Sequence, residues 1–197
     1  VTKSKERNIP CFGVLNDLIL RFSKLLDQKA SHIPSGQHAL NQEYYKRIEA
    51  IQFTMSHDDG KVTKDLEEAD IVLLGVSRTS KTPTSIYLAN KGYKTCNIPI
   101  INKNSIPTNL IKNYKSLCVI GLTAEASRLL DIRKNRMNFV KEKRANSYTD
   151  IEKIKLEIET ARNLFKKYNW PTIDVSRKSV EETAASVIKI HDIIHSQ

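Results

Sequence analysis

No run in this 197-residue chain approaches the ~20 consecutive apolar residues of a membrane-spanning helix, so no membrane partner is expected. Its start, Val1-Thr-Lys-Ser-Lys-Glu-Arg7, does not lead into an apolar stretch with a small-residue cleavage site. No secretory signal is read there, and a cytoplasmic location is expected. The three cysteines, Cys11, Cys96 and Cys118, contain no C-x-x-C pair, and the five histidines are scattered without metal-ligand spacing. Structural zinc therefore has no support, and no cysteine or histidine is assigned as a metal ligand. Cys96 and Cys118 fall in apolar runs, where a thiol packs as a small hydrophobe.

Acidic residues are also the minority, which leaves a net charge of +10. There is no basic ribbon interleaved with aromatics and no zinc-finger spacing to turn that charge into nucleic-acid readout. Only Arg133-Lys-Asn-Arg136 through Lys141-Glu-Lys-Arg144 is dense. A solvated basic face or a phosphate-rich ligand accounts for the charge, and no nucleic-acid partner is expected.

The length suits one sizeable core, with room for an appendage, and a single domain is expected. Val14, Leu15, Leu18, Ile19, Phe22, Leu25 and Leu26 recur at helical spacing between Pro10 and Leu26 and predict a core-facing helix. Asp27 to Leu40, with Pro34-Ser-Gly36, reads as a loop, and Tyr44, Tyr45, Ile48, Ile51, Gln52 and Met55 share a second helical face. Strand Asp70–Gly75, helix Pro83–Lys91 and strand Lys94–Ile100 form a βαβ unit, with Gly92 at the helix C′ position. Leu117–Gly121 is a third strand, and Thr123 is read as the cap of a helix beginning at Ala124. Asp150 opens a helix carrying Ile151, Ile154, Ile158, Ala161 and Phe165; Trp170–Val175 is a last strand, and Ser179-Val-Glu-Glu182 is a capping box. The expectation is an α/β fold: a mostly parallel open sheet with a P-loop-like strand-loop-helix. A helical N-terminal segment, 1–60, precedes an α/β nucleotide-binding domain, 61–197.

The loop Gly75-Val-Ser-Arg-Thr-Ser-Lys-Thr82 joins the first strand to its helix. Backbone N–H groups at a helix start and a lysine beside them suit a phosphate. Gly75, Lys81 and Thr82 fit G-x-x-x-x-G-K-[ST], with Ser80 in place of the second glycine. Pro83 biases Thr82 away from helical geometry, which predicts Thr82 as N-cap and Pro83 as the first helical residue. That shifts the cradle relative to an ordinary P-loop, and a plain capped turn is the competing explanation.

Ala69-Asp-Ile-Val-Leu-Leu-Gly-Val-Ser-Arg-Thr-Ser-Lys-Thr-Pro-Thr-Ser-Ile-Tyr-Leu-Ala89 followed by Gly92-Tyr-Lys-Thr-Cys-Asn-Ile-Pro99 resembles the regulatory proteins of pyruvate, phosphate dikinase and phosphoenolpyruvate synthase. His57-Asp-Asp-Gly60, Arg128-Leu-Leu-Asp-Ile-Arg133, Asn146-Ser-Tyr148 and Ser179-Val-Glu-Glu-Thr-Ala-Ala185 extend the resemblance over nearly the whole chain. Thr79-Ser80 before Lys81 resembles the dikinase branch. The resemblance implies a bifunctional enzyme that uses ADP to phosphorylate a Thr beside the catalytic His of the dikinase. It would reverse this with inorganic phosphate, releasing pyrophosphate. It implies that Gly75, Val76, Ser77, Arg78, Thr79, Ser80, Lys81 and Thr82 are the nucleotide-binding loop. It further implies pyruvate, phosphate dikinase as partner, with a homodimer to be tested. Family members begin with a further region carrying a Ser-Asp-x-Thr-Gly-Glu-Thr-like segment, so this chain resembles a truncated or alternatively initiated product.

Lys81 is assigned to the ADP phosphates, Arg78 to a bidentate clamp, and one or two of Ser77, Thr79, Ser80, Thr82 and Thr84 to phosphate or Mg²⁺. Asp58 and Asp59 are candidates for orienting a metal or taking the proton of the target Thr, and His57 for acid–base work in the reverse reaction. A helix-terminating turn explains the same residues without chemistry. Glu181 and Glu182 read as first-turn charges. Arg128, Arg133 and Arg136 could dock the target, although spacings of five and three do not put all of them on one tight face, and a solvated face is preferred. Another P-loop phosphotransferase and a non-catalytic remnant that only docks are the alternatives.

Overall fold

The computed structural model describes residues 6–10, 15–30, 41–60, 65–102, 105–113, 117–140 and 148–196. Cys11, Pro34-Ser-Gly36, Lys141-Glu-Lys-Arg144 and Asn146-Ser147 lie outside the described residues. The chain forms two compact units, Val1–Ala39 and Leu40–Gln197.

In the first unit, helix α1 (Asn16–Leu25) has the expected amphipathic pattern, but no residue in it is buried. Leu18, Phe22 and Leu25 stay more than half exposed. The expectation of a core-facing helix is thus corrected: the 3.6-residue period sets the helix, while burial requires a packing surface that the described residues of its unit do not supply.

The second unit begins with α2 (Gln42–Ser56), which packs with the sheet layer. Asn41 caps it by accepting from the Tyr44 N–H at 2.9 Å. Among the described residues four strands follow, β1 (Ile71–Gly75), β2 (Thr95–Pro99), β3 (Cys118–Thr123) and β4 (Thr172–Asp174), all parallel in the order β2-β1-β3-β4. Every residue of β1 and β3 is buried, as expected for a parallel sheet covered on both faces, and this is why those strands read as unbroken apolar runs.

The helices are α3 (Lys81–Asn90), α4 (Thr108–Asn113), α5 (Ala126–Val140), α6 (Ile151–Lys167) and α7 (Val180–His195). From β1 the chain moves to β2 on one side and later to β3 on the other. Right-handed crossovers in opposite directions place their helices on opposite faces. Accordingly α3 packs on both α2 and α7, while α5 packs on α6 and α6 on β3. The carboxyl ends of β1 and β3 form the switch point of this sheet, where ligand crevices open.

The free edge of β2 is covered by the end of α2, with the Thr95 N–H donating to Thr54 Oγ1 at 3.0 Å and the Asn97 N–H to the His57 carbonyl at 3.1 Å. Satisfying this edge carries the turn after α2, Asp58–Gly60, to the carboxyl end of β1.

Local signals hold at several ends. Gly92 adopts φ 94 after α3, with the Gly92 and Tyr93 N–H groups bonded to the Ala89 and Leu88 carbonyls at 2.9 and 3.2 Å, a Schellman closure. Asp150 caps α6, and Ser179 and Glu182 bond reciprocally at the start of α7. Thr123 is corrected: it is the last residue of β3, paired with Asp174, and α5 starts at Ala126. Its hydroxyl accepts from Arg162 Nε at 3.3 Å.

A Cβ on Gly121 would come within 2.5 to 2.7 Å of three Phe165 ring atoms, so this glycine lets α6 lie against β3. Gly121→Ala should lower stability by about 1–3 kcal/mol in urea denaturation. Trimming the ring with Phe165→Leu should make the second change less costly, with a coupling of at least ~0.5 kcal/mol; strict additivity would contradict this packing.

Candidate functional site

The last residue of β1 must be a glycine, because a Cβ there would lie 2.7 Å from both the Leu122 carbonyl oxygen and Thr79 Oγ1. From Gly75 the loop folds back on the Val76 carbonyl, which accepts from Thr79 Oγ1 at 3.0 Å and from Lys81 Nζ at 2.9 Å. Two non-glycine residues take left-handed backbone, Arg78 at φ 74 and Ser80 at φ 57, as strained residues do at ligand-binding turns.

Helix α3 then starts at Lys81, with Ser80 as N-cap. The expected start at Thr82-Pro83 is corrected by two residues. The pre-proline bias against helical geometry is outweighed by tertiary bonds: the Thr82 hydroxyl donates to Asp58 Oδ1 at 3.1 Å, and Asn97 Nδ2 bonds both Asp58 Oδ1 and Thr82 Oγ1. Pro83 falls in the first turn, where no N–H is required. Lys81 and Thr82 thus occupy the first helical turn as in an ordinary P-loop, and the cradle is not shifted.

Ser80 makes no side-chain cap, and the first intrahelical bond at this end is Thr84 N–H to the Ser80 carbonyl at 3.1 Å. The N–H groups of Ser80, Lys81 and Thr82 therefore have no helical acceptor. With the positive end of the helix dipole they present a terminus of the kind that suits an anion.

This end of α3 opens onto a cavity of about 350 Å³ lined by Asp59, Ser77, Arg78, Ser80, Lys81, Thr82, Pro83, Pro99 and Ile132. Six of the expected site residues therefore meet on one hollow. Gly75, Val76 and Thr79 underlie it as scaffold. Thr84 is fully buried on the inner side of α3 and does not line the hollow, so it is not available to a phosphate there. Asp58 sits behind Thr82. His57 is only 5% exposed, stacked on Phe53 with ring centroids 3.9 Å apart, and its Nδ1 is 2.8 Å from the Phe53 carbonyl oxygen.

Lys81 is 6% exposed. Burial brings its amine down to about 8; Asp59 and Asp58 work against that fall, and Arg78 and Arg133 with it. The ammonium is thus held desolvated at a cost in free energy that a nearby negative charge would relieve.

Three residues, Asn97, Arg133 and Tyr148, hold the site by contacts that no local signal foretells. Asn97 is a buried amide within β2, signalled only by its polarity inside an apolar strand. Arg133, expected on a solvated face, is completely buried. It pairs with Glu157 Oε2 at 2.6 Å and donates to the Ser77 and Tyr148 carbonyls, each at 3.3 Å. The Tyr148 hydroxyl accepts from Arg78 Nε at 3.1 Å and lies 3.3 Å from Ser77 Oγ. Arg128 and Arg136 are exposed. Among the described residues no group of three or more His, Cys, Asp or Glu is arranged to hold a metal, and no helix is long and apolar enough to cross a membrane.

The kinase/pyrophosphorylase family model matches residues 1–188. The chain belongs to that family. A protein from Pelagibacter ubique (strain HTCC1062), named "Putative pyruvate, phosphate dikinase regulatory protein", is 68% identical over 191 residues, 97% of this chain and 70% of that protein. One of the same name from Erythrobacter litoralis (strain HTCC2594) is 46% identical over 193 residues, 98% of this chain and 69% of the relative. Another, from Caulobacter vibrioides (strain ATCC 19089 / CIP 103742 / CB 15), is 42% identical over 186 residues, 94% and 59%. As a kinase/pyrophosphorylase the chain is a phosphotransferase.

The lowered Lys81 pKa has a defined consequence for stability. Between about 8 and 10.5 the unfolded chain holds this proton while the folded chain releases it, so stability rises with pH across that window. Relative to Lys81→Met, the wild-type protein should gain stability as pH climbs through it, with a flat difference below about 8. Urea denaturation of both proteins over this range checks it; a difference independent of pH would show that Lys81 is solvated.

Proposed function

We propose that this chain is a bifunctional serine/threonine kinase and phosphorylase that regulates pyruvate, phosphate dikinase. In the forward direction the β-phosphoryl group of ADP passes to the hydroxyl of an active-site Thr of the dikinase, leaving AMP. In reverse, inorganic phosphate takes that phosphoryl group, giving pyrophosphate and the free hydroxyl. The observation that carries the reading is the convergence of three uncapped N–H groups, the Lys81 amine and the Arg78 guanidinium on one cavity at the end of β1. The names borne by the relatives supply the target. A phosphorylated Thr adds about −2 of charge beside the catalytic His of the dikinase, enough to obstruct a site that must itself accept phosphate.

In this reading the N–H groups of Ser80, Lys81 and Thr82 and the Lys81 ammonium stabilise charge on the transferring phosphoryl group. Thr82 Oγ1 and Asp58 Oδ1, 3.1 Å apart, are a hydroxyl and a carboxylate of the kind that hold Mg²⁺ together with substrate phosphates, an ion that takes few protein ligands. Such an ion would neutralise phosphate charge there. Asp59 is the carboxylate among the residues lining the cavity and is the better candidate to take the proton of the incoming hydroxyl. His57, stacked into α2, holds the Asp58–Gly60 turn in position. The same reading takes the enzyme to act in the cytoplasm.

Incubation with dikinase, phosphoenolpyruvate and ADP labelled at the β-phosphate should label one dikinase Thr, and added phosphate should release that label as pyrophosphate. Lys81→Ala should reduce transfer by about 10²–10³-fold. Asp59→Asn should reduce kcat by about 10²–10⁴-fold while ADP binding persists. Turnover of a small metabolite with ATP but not ADP, or docking on the dikinase without transfer, would reject the proposal.

A further inference from the structure

A buried guanidinium must be paired and hydrogen-bonded to persist, since its desolvation costs several kcal/mol. Arg133 meets that condition at its two Nη groups by gripping the loop after β1, while its buried Nε makes no hydrogen bond. One helical step, 100°, separates it from Ile132. Ile132 turns to the cavity with exposed Arg128 and Arg136 one turn to either side, while Arg133 turns inward toward α6. There Arg133 pairs with Glu157 at 2.6 Å, donates to the Ser77 carbonyl, and lies over the Tyr148 ring with Cζ 4.7 Å from its centroid.

Tyr148 passes this grip on to a cavity residue. Its ring and carbonyl are fixed by Arg133, and its hydroxyl accepts from Arg78 Nε at 3.1 Å. Burial pushes the Tyr148 phenol up, but hydrogen bonds with Ser77 and Arg78 and the charges of Arg78 and Arg133 leave it below its ordinary value. Arg78 is exposed and lines the cavity, and among the described residues its two Nη groups make no hydrogen bond to protein. A guanidinium held at Nε presents those two Nη groups as a preset fork, the geometry that matches two oxygens of a phosphate.

We propose that Tyr148, anchored by the Arg133–Glu157 pair, is a positioning residue that aims the Arg78 guanidinium at the terminal phosphate of the bound nucleotide. The inference rests on the cavity being the phosphate site. Holding the fork before the ligand arrives removes part of the ordering cost of a long side chain from the binding step. It also ties the loop on β1 to α5 and α6 on the other side of the switch point.

The test is calorimetric binding of ADP and of inorganic phosphate to the full chain. Tyr148→Phe keeps the ring over Arg133 and removes only the hydroxyl. It should raise the Kd for ADP about tenfold, or ~1.4 kcal/mol, with an unchanged unfolding midpoint. In an Arg78→Ala background the same change should have no further effect. Arg78→Lys, which keeps charge but has no Nε to hold, should abolish the coupling as Ala does. An unchanged Kd in Tyr148→Phe, or an equal loss with and without Arg78, would overturn the proposal while sparing the phosphate site. Failure of the wild-type protein to bind either ADP or phosphate would overturn the reading of the cavity, and this inference with it.

Discussion

A short stretch of strained backbone governs this molecule. Between Gly75 and Lys81 the chain reverses through two left-handed non-glycine residues, Arg78 and Ser80, each unfavourable by roughly 1–2 kcal/mol. The turn persists because the Val76 carbonyl takes two side-chain donors, Thr79 Oγ1 and Lys81 Nζ, and because Arg133 holds the Ser77 carbonyl from outside. The geometry also leaves Ser80 unable to cap its helix. A better-capped helix would be more stable, but its N–H groups would be satisfied by the protein and closed to an anion.

The sheet makes that turn useful. β1 is central, with β2 and β3 on either side, so the loop emerges where the helices depart to opposite faces. The α2 end that satisfies the free edge of β2 delivers Asp58 and Asp59 to the same place. One packing requirement, covering an edge strand, thereby supplies the acidic half of the site, and Asn97 joins the halves by bonding both Asp58 and Thr82.

Features governed by local chemistry were readable in the residues. The buried runs of β1 and β3, the Gly92 closure, the Asp150 cap and the Ser179–Glu182 box each depend on neighbours within a few positions. The loop residues that line the cavity were readable for the same reason. What escaped depended on distant partners. Thr82 before Pro83 obeys a pre-proline rule until Asp58 and Asn97, far along the chain, hold it in the helix. Thr123 looks like a cap until β4 pairs with it. Arg133 sits in a run of charge that reads as solvated, and only the packing of α5 on α6 shows that it turns inward to Glu157. Tyr148 lacks a period or a motif of its own chemistry; its hydroxyl acquires a role from Arg78, which is 70 positions away. The α1 stripe is the converse case, with a clear period and no burial.

The most direct measurement is a titration of the ¹⁵N-labelled protein with ADP, followed through its backbone amide resonances. Convergence of the loop on the diphosphate predicts saturable shifts that are largest at Ser77 to Thr82, with smaller ones at Asp59 and Ile132. Shifts centred instead on a second polar hollow among the described residues, between α4 and α6 around Ile111 and Thr160, with the amides of Ser80, Lys81 and Thr82 unmoved, would contradict it.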